Sequence, residues 1–541
     1  MAPLLSNSTT MPMPMAMAMA MAMAMEQAAS WPIAVIAQAI ILLLATIYLA
    51  PWSWRWALCM FATDSSYRGP PRWPLFGSYF EVKSNQSRIY EWITGYTQLY
   101  KTFEYSYGGT RIIHTADPIN VEYILKTKFV NYPKGKETLE RQHDFLGDGI
   151  FNSDGETWKR HRKIASYEFS NRKLRDFSSK IFKKNAIRLA DILNSAAKSN
   201  EEVELQDLLM RTTLDSICEL GFGLELGSLS PLLPQVPFAN AFDRVSEAIA
   251  LRSWNLFWRT RRALRLGHEK ELQNCIEQLD AFTSKVIQQR RKVIEEANKN
   301  NEENTREDLL SRFMSFRGQD GEVTYRDKDL RDSILNFVIA GRDTTAITLS
   351  WLIYLLCNNP HVVDKISAEL TTVLGDKKNV NIWEFCELLT PENVEELHYL
   401  HAAVNEALRL YPPVPRDGKE ALKDDVLPDG TKVKAGDKVI YVPYSMGRME
   451  FLWGKDALKF KPERWFKDNK FQSESPYKFT AFQAGPRTCL GKDSAYLQIK
   501  ITAAILIRFF QFKLVPDHKV FFRLRMVLQM IDGVKVFVSA R

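Results

Sequence analysis

Cysteine is scarce in this chain of 541 residues, and no two of the six, Cys59, Cys218, Cys275, Cys357, Cys386 and Cys489, lie within a few positions of each other. The paired spacings of zinc and iron–sulfur sites are therefore missing, and so is any disulfide framework. Cysteine chemistry here must use one residue at a time, and the pattern predicts a reducing compartment. Charge of one sign is nearly balanced out: 72 Lys and Arg against 64 Asp and Glu leave +8. Spread over the whole length, that excess is too dilute for a nucleic-acid-binding surface, so no nucleic acid partner is expected. Glycine and proline are modest, at 25 and 24, and with 45% hydrophobic residues they exclude global disorder and collagen-like architecture.

One stretch lacks charge altogether. From Gln27 to Trp54 no Asp, Glu, Lys or Arg occurs, and within it IAVIAQAIILLLATIYLA (Ile33 to Ala50) has only Gln38 and Thr46 as clear polar interruptions. As a helix rising about 1.5 Å per residue, this segment with its flanks spans a hydrocarbon core of about 30 Å. A cleaved secretory signal is the alternative, but no Lys or Arg precedes the run and Tyr48 stands where a small residue would precede a cut after Ala50. Glu26 is the single charge before the segment, whereas Arg55, Arg68 and Arg72 follow it, so the larger part of the chain is expected in the cytosol. Trp52, Trp54 and Trp56 suit the membrane interface. The expected organisation is a low-complexity extension (1–30), a single-pass anchor (31–54), an interface and Pro-rich elbow (55–77) ending in GPPRWPLFG, and one catalytic domain (78–541).

No internal repeat appears in that domain. Helical patterns cover Val203 to Leu224, Ala241 to Trp258, His268 to Ala297, Tyr325 to Asn358 and Asp493 to Phe510. Short strand-like runs occur near Thr110 to His114, Lys432 to Val442 and Val520 to Val538, and the charged stretch Arg291 to Asp308 reads as a helix end running into a surface loop. The fold class expected is mainly α with small β-sheets. The pattern from Tyr325 to Asn358, about 50 Å if helical, must cross the whole domain. In its middle, AGRDTT (Ala340 to Thr345) sets small residues, an acid and hydroxyls among apolar neighbours. Small residues allow a ligand close, and a Thr bonding back to the carbonyl four residues earlier can bend a helix. The alternative is an amphipathic helix with a polar patch.

The sharpest signal is FQAGPRTCLG (Phe482 to Gly491), followed at once by a helical run. Backbone N–H groups at that helix start, with Arg487 nearby, are expected to favour the Cys489 thiolate. A lone thiolate ligand points to haem, whose porphyrin supplies the other four in-plane donors. At this point the chain resembles the haem-thiolate monooxygenases of the cytochrome P-450 superfamily, from the elbow nearly to the C-terminus. The resemblance rests on this loop, on Glu406 and Arg409 in NEALRLYPPVPRDG, on Arg464 in PERW, and on WKRHR (Trp158 to Arg162), in the family's order. Over GDGIFNSDGETWKRHRKIASYEFS, DDVLPDGTKVKAGDKVIYVPYSMGRME and FTAFQAGPRTCLGKDSAYLQIKI the chain is most similar to the plant fatty-acid ω-hydroxylase group.

The resemblance implies the cytochrome P-450 fold behind one N-terminal transmembrane helix, with heme b (iron protoporphyrin IX) ligated by Cys489. It implies that Trp158, Arg162 and Arg487 contact a propionate, with Arg416 a further candidate, while Ala340, Gly341 and Phe482 make room for or border the ring. Glu406, Arg409 and Arg464 would form a buried charge network, and Asp343 and Thr344 would be the catalytic acid–alcohol pair that relays protons. No Gly-rich dinucleotide fingerprint and no flavin-type domain can be read from the chain, so electrons would come from NADPH through a separate membrane reductase. Lys159, Arg160, Lys163 and Lys492 are candidates for its docking patch, or else a solvated set of charges. The substrate implied is a long-chain fatty acid hydroxylated at its terminal methyl, for cutin, suberin or pollen-wall lipid, on the endoplasmic reticulum membrane. Arg141, Gln142 and His143, in the loop before Trp158, are candidate carboxylate anchors. Oxidation of another lipophile (a terpenoid, sterol or phenolic), hydroperoxide isomerase or lyase chemistry on the same fold, and a non-catalytic haem sensor are the other readings.

Overall fold

The protein is described from a computed structural model covering residues 67–73, 76–169, 172–299, 308–316, 325–375, 380–522 and 525–541, with Gln38 and Leu42 alone before them. The extension 1–30, the anchor 31–54 apart from Gln38 and Leu42, and most of the interface 55–77 lie outside the described residues. Among those described, no helix is long and apolar enough to cross a membrane.

The elbow ends pinned to the domain. Arg68 O accepts from Glu104 N at 2.8 Å, Ser78 N donates to Ser106 O at 2.9 Å, and Arg72 pairs with Glu104 at 2.6 Å. At Gly77 the backbone takes φ +57°, and a Cβ would lie 2.7 Å from Ser106 O, so only glycine makes this turn so close to the strand.

The strands are β1 (Thr102–Tyr107), β2 (Thr110–Thr115), β3 (Glu202–Glu204), β4 (Asp417–Glu420), β5 (Asp425–Val426), β6 (Lys432–Val433), β7 (Lys438–Tyr441), β8 (Phe466–Lys467), β9 (Lys470–Phe471), β10 (Phe510–Leu514) and β11 (Lys535–Ala540). They form a four-stranded sheet ordered β1-β2-β7-β4, a three-stranded sheet β10-β11-β3, and the pairs β5-β6 and β8-β9. Only β2 and β7 run parallel. The strand-like run Lys432 to Val442 is thus two strands, broken at Gly436, whose φ is +86°. Val520 to Val538 contributes only the start of β11 and an isolated bridge between Phe522 and Met530.

The longer helices relevant to the site are α1 (Lys136–Leu146), α2 (Gly155–Phe169), α3 (Arg172–Ser199), α4 (Leu205–Phe222), α5 (Pro237–Arg252), α6 (His268–Lys299), α7 (Asp327–Val338), α8 (Thr344–Cys357), α9 (His398–Leu410) and α10 (Lys492–Phe509). Local chemistry sets several ends. Glu204 caps α4 by accepting from the N–H groups of Gln206 and Asp207, and Gly223 at φ +63° closes it. Asp308, beyond the described end of α6, is buried rather than part of an exposed loop: it caps Leu309–Ser315 and pairs with Arg290.

α7 and α8 are one long element joined by a π-helical turn, Ile339–Asp343. A helix that is apolar all round must be buried, and nearly every residue of α8 is. It packs against α4, α9 and α10, while α3 covers α4 and α10, so the core closes around the central helix. A smaller cluster, including Ile113, Val121, Tyr132, Val439 and Tyr441, fills the space under the four-stranded sheet. The mainly α architecture with small sheets is as the sequence predicts.

Candidate active site

The cysteine loop is built by its glycine and by main-chain bonds. Gly485 sits at φ +63° with Leu125 O only 2.1 Å from where a Cβ would stand, so the loop touches the segment before Phe129 at a point no side chain tolerates. Cys489 N donates to Phe482 O at 2.9 Å, and the Thr488 hydroxyl donates to Gly485 O at 2.7 Å. This turn presents the sulfur at the start of α10. Among the described cysteines Cys489 alone is exposed, while Cys218, Cys275 and Cys386 are buried and Cys357 is half-buried. The exposure is that of a crevice, for protein still surrounds the thiol closely enough that desolvation raises its pKa. The Gly491 N–H, Arg162 and Lys492 pull the other way. Desolvation is the larger influence on this thiol, and the helix start acts against it. Arg162, reaching from α2 to Thr488 O, brings a guanidinium beside the sulfur.

Arg487 turns instead to Asp154 at 2.6 Å and to Ser153 O at 3.0 Å, with its guanidinium 4.5 Å above the ring of buried Trp158. Trp158, Arg162 and Arg487 are thereby gathered beside the cysteine loop. Phe482 stacks at a tilt on Tyr496, with ring centroids 4.9 Å apart. Arg416 lies over the Trp254 ring at 4.6 Å.

On the central helix, Ala340, Gly341 and Thr344 are half-buried and Asp343 is buried. The Thr344 hydroxyl donates to Ala340 O at 2.6 Å, the bond four residues back that accompanies the π turn. Asp343 accepts from Arg342 at 3.1 Å, and burial raises its carboxyl to about 7, with Arg342 lowering it and Asp243 raising it further. Gly341 makes room for a neighbouring helix: a Cβ there would meet the Ile217 side chain of α4 at 2.8 Å. The expected space beside it is filled, at least on that side, by helix packing.

The Glu406 network is complete. Glu406 and Arg409 show no side-chain exposure and pair through two bonds of 2.8 and 2.7 Å. Glu406 also accepts from Arg464 Nε at 3.2 Å, Trp465 Nε1 at 3.1 Å and Lys461 N at 3.0 Å. Arg409 donates further to Gly447 O, Ala457 O and Lys459 O. The helical spacing of Glu406 and Arg409 was legible, but these carbonyl partners carry no sequence signal.

Residues 67–536 match the family described as Cytochrome P450. The chain belongs to that family. Membership makes it a monooxygenase and implies haem and a reductase partner. Among its relatives, Cytochrome P450 704B1 of Arabidopsis thaliana is 47% identical over 87% of this chain and 95% of its own. Cytochrome P450 704C1 of Pinus taeda is 47% identical over 86% and 92%, and Cytochrome P450 86B1 of Arabidopsis thaliana 43% identical over 87% and 86%.

The residues of this P450 suit the cofactor its family implies. One accessible sulfur stands at a helix start, and two guanidinium groups and an indole collect beside it, which is the chemistry of one thiolate ligand and anionic propionates. The candidate carboxylate anchors are placed differently from expectation. Arg141, Gln142 and His143 lie on α1, a helix and not a loop. Arg141 is largely buried with Glu137 3.7 Å away, and His143 is exposed toward Asp148 at 3.5 Å. Of the docking candidates, Lys159, Arg160, Lys163 and Lys492 are all exposed. Sequence reasoning missed Asp154, which holds Arg487, and Asp243, which holds Arg342; both partners are remote in sequence from the arginines they bind.

Proposed function

We propose that this P450 binds heme b through Cys489 and, with electrons passed from NADPH by a separate reductase, hydroxylates long-chain fatty acids at the terminal carbon. The single observation that carries the cofactor assignment is the exposed Cys489 sulfur, set at the head of α10 with Arg162 beside it while the other described cysteines are buried or half-buried. When bound, the haem activates dioxygen for insertion into an unactivated C–H bond. Cys489 would ligate the iron as thiolate, the ion's charge offsetting the burial that raises the free thiol's pKa. Arg162, Arg487 and Trp158 would hold the propionates by charge-assisted bonds, and Asp154 fixes the Arg487 guanidinium in its place. Thr344 Oγ, held by Ala340 O, and the Asp343 carboxyl, raised into the neutral range, hold and pass protons at the reacting side of the ring. Glu406, Arg409 and Arg464 keep the segments behind the cysteine loop in register.

The fatty-acid substrate and terminal position rest on the similarity to plant ω-hydroxylases over the segments quoted above. The uncharged run 31–54 supports a single-pass anchor in the endoplasmic reticulum membrane with the catalytic domain cytosolic, where lipophilic substrates partition. Lys159, Arg160, Lys163 and Lys492 offer an exposed basic surface to an acidic reductase. The test is a reduced carbon-monoxide difference spectrum of microsomes carrying the chain, followed by fatty-acid titration of the ferric Soret band. A thiolate-type red-shifted band, lost in Cys489→Ala, and a spin-state change with long-chain acids are the expected results. A normal band with no response to any fatty acid would refute the substrate, and no thiolate band in folded protein would refute the ligand.

A further inference from the structure

Arg342, on the π turn, serves two carboxylates at once. Its Nη1 donates to Asp243 Oδ1 of α5 at 2.6 Å and to its neighbour Asp343 Oδ1 at 3.1 Å. The guanidinium is buried, lies 5.7 Å from the Phe242 ring and has an Nε with no hydrogen-bond partner among the described residues. Its carbonyl is fixed by the Thr213 hydroxyl of α4 at 2.9 Å. Asp243 in turn faces Arg525, 4.0 Å away, which is itself held by Glu247 at 3.0 Å. The shorter bond goes to Asp243, and Asp343 is left with the longer one.

We propose that Asp243 is a positioning residue for the monooxygenase reaction: by holding Arg342 against α5, it keeps Asp343 free to take up and release a proton beside Thr344. This rests on the reading that Asp343 carries a proton. Electrostatics agree with the geometry. Burial raises the Asp343 carboxyl, Arg342 lowers it, Asp243 raises it and Arg525 lowers it. From the other packed elements, Asp207 at the start of α4 acts on Arg342, the Cys218 thiol of α4 lies within its field, and Glu247 stands behind Arg525. With Asp243→Asn one negative charge is lost and Arg342 turns wholly to Asp343. Asp343 then gives up its proton at lower pH.

The experiment is a pH profile of product formed per NADPH consumed, in full-length protein reconstituted with a reductase at saturating substrate, with haem content checked by the carbon-monoxide spectrum. If protonated Asp343 is required, the parent loses coupling as pH rises through about 7. Asp243→Asn moves that limb to lower pH, by about one unit or roughly tenfold in coupling at a fixed alkaline pH. Asp243→Glu restores it, whereas a purely structural role lowers coupling equally at every pH. Arg525→Gln moves the limb the opposite way and carries the test by itself should Asp243→Asn fail to load haem. A limb that stays put in both Asp243→Asn and Arg525→Gln, while Asp343→Asn abolishes it, overturns the role of Asp243. A limb that survives in Asp343→Asn overturns the reading of Asp343 itself.

Discussion

Replacing Glu406 by Gln keeps the side chain's size and removes its charge at the most enclosed ion pair among the described residues. Five donors converge on the carboxylate: two from Arg409, one each from Arg464 and Trp465, and the Lys461 N–H. An amide cannot accept all of them, and its own N–H₂ would point at guanidinium groups. Arg409 would keep its three carbonyl partners yet lose its counter-charge where no water reaches. Breaking a buried pair in this way costs about 3–5 kcal/mol, a large share of the roughly 5–15 kcal/mol by which folded domains are stable. A cofactor-binding chain of this size does not unfold as a reversible two-state system, so the assay is a rate: loss of the Soret band in urea for the holoenzyme in detergent. Even the lower figure, if it falls wholly on unfolding, speeds that loss by about 10²-fold. The double variant Glu406→Gln with Arg409→Met removes both charges and is expected to be far less damaging than the two single effects added. Unfolding of Glu406→Gln within about twofold of the parent, or strict additivity in the double variant, would refute the reasoning.

Three further outcomes are expected. Gly485→Ala puts a Cβ against Leu125 O at a positive φ, so the cysteine loop must move and the carbon-monoxide spectrum should lose its thiolate band in the soluble, folded fraction. Gly341→Val drives into Ile217 and should cost about 1–3 kcal/mol of stability, read as faster thermal loss of the Soret band and partly restored by Ile217→Ala. Thr344→Val removes the hydroxyl bonded to Ala340 O without disturbing apolar packing. Product formation should fall by about 10²-fold with haem binding intact, and NADPH consumption should persist as peroxide release.

How much of this was legible in the sequence depends on the range of the physics involved. Helix existence was, since period and caps are local: His268 to Ala297 became His268–Lys299, and Asp493 to Phe510 became Lys492–Phe509. The helix Arg172–Ser199 went unread. Strands were less legible, because Val520 to Val538 is β-branched in part but only its end, in β11, pairs along its length, with β10 on one side and β3 on the other. Trp158, Arg162 and Arg487 lie together, but the bonding partners of the site arginines depend on the fold: Asp154 lies 333 positions from Arg487, and Asp243 lies 99 from Arg342. The surroundings of Cys489 show the same limit, for burial raises its thiol pKa. A helix start is visible in sequence, whereas the depth to which the surrounding chain buries a thiol is not.

The most direct test of the account is the product itself. Microsomes carrying the full chain and a reductase are given NADPH, ¹⁸O₂ and long-chain fatty acids, and the products are resolved by mass spectrometry. The account predicts one ¹⁸O atom at the terminal carbon, dependent on NADPH and absent in Cys489→Ala. Label confined to in-chain carbons, oxygen derived from water, or turnover of a fatty-acid hydroperoxide without NADPH would contradict it.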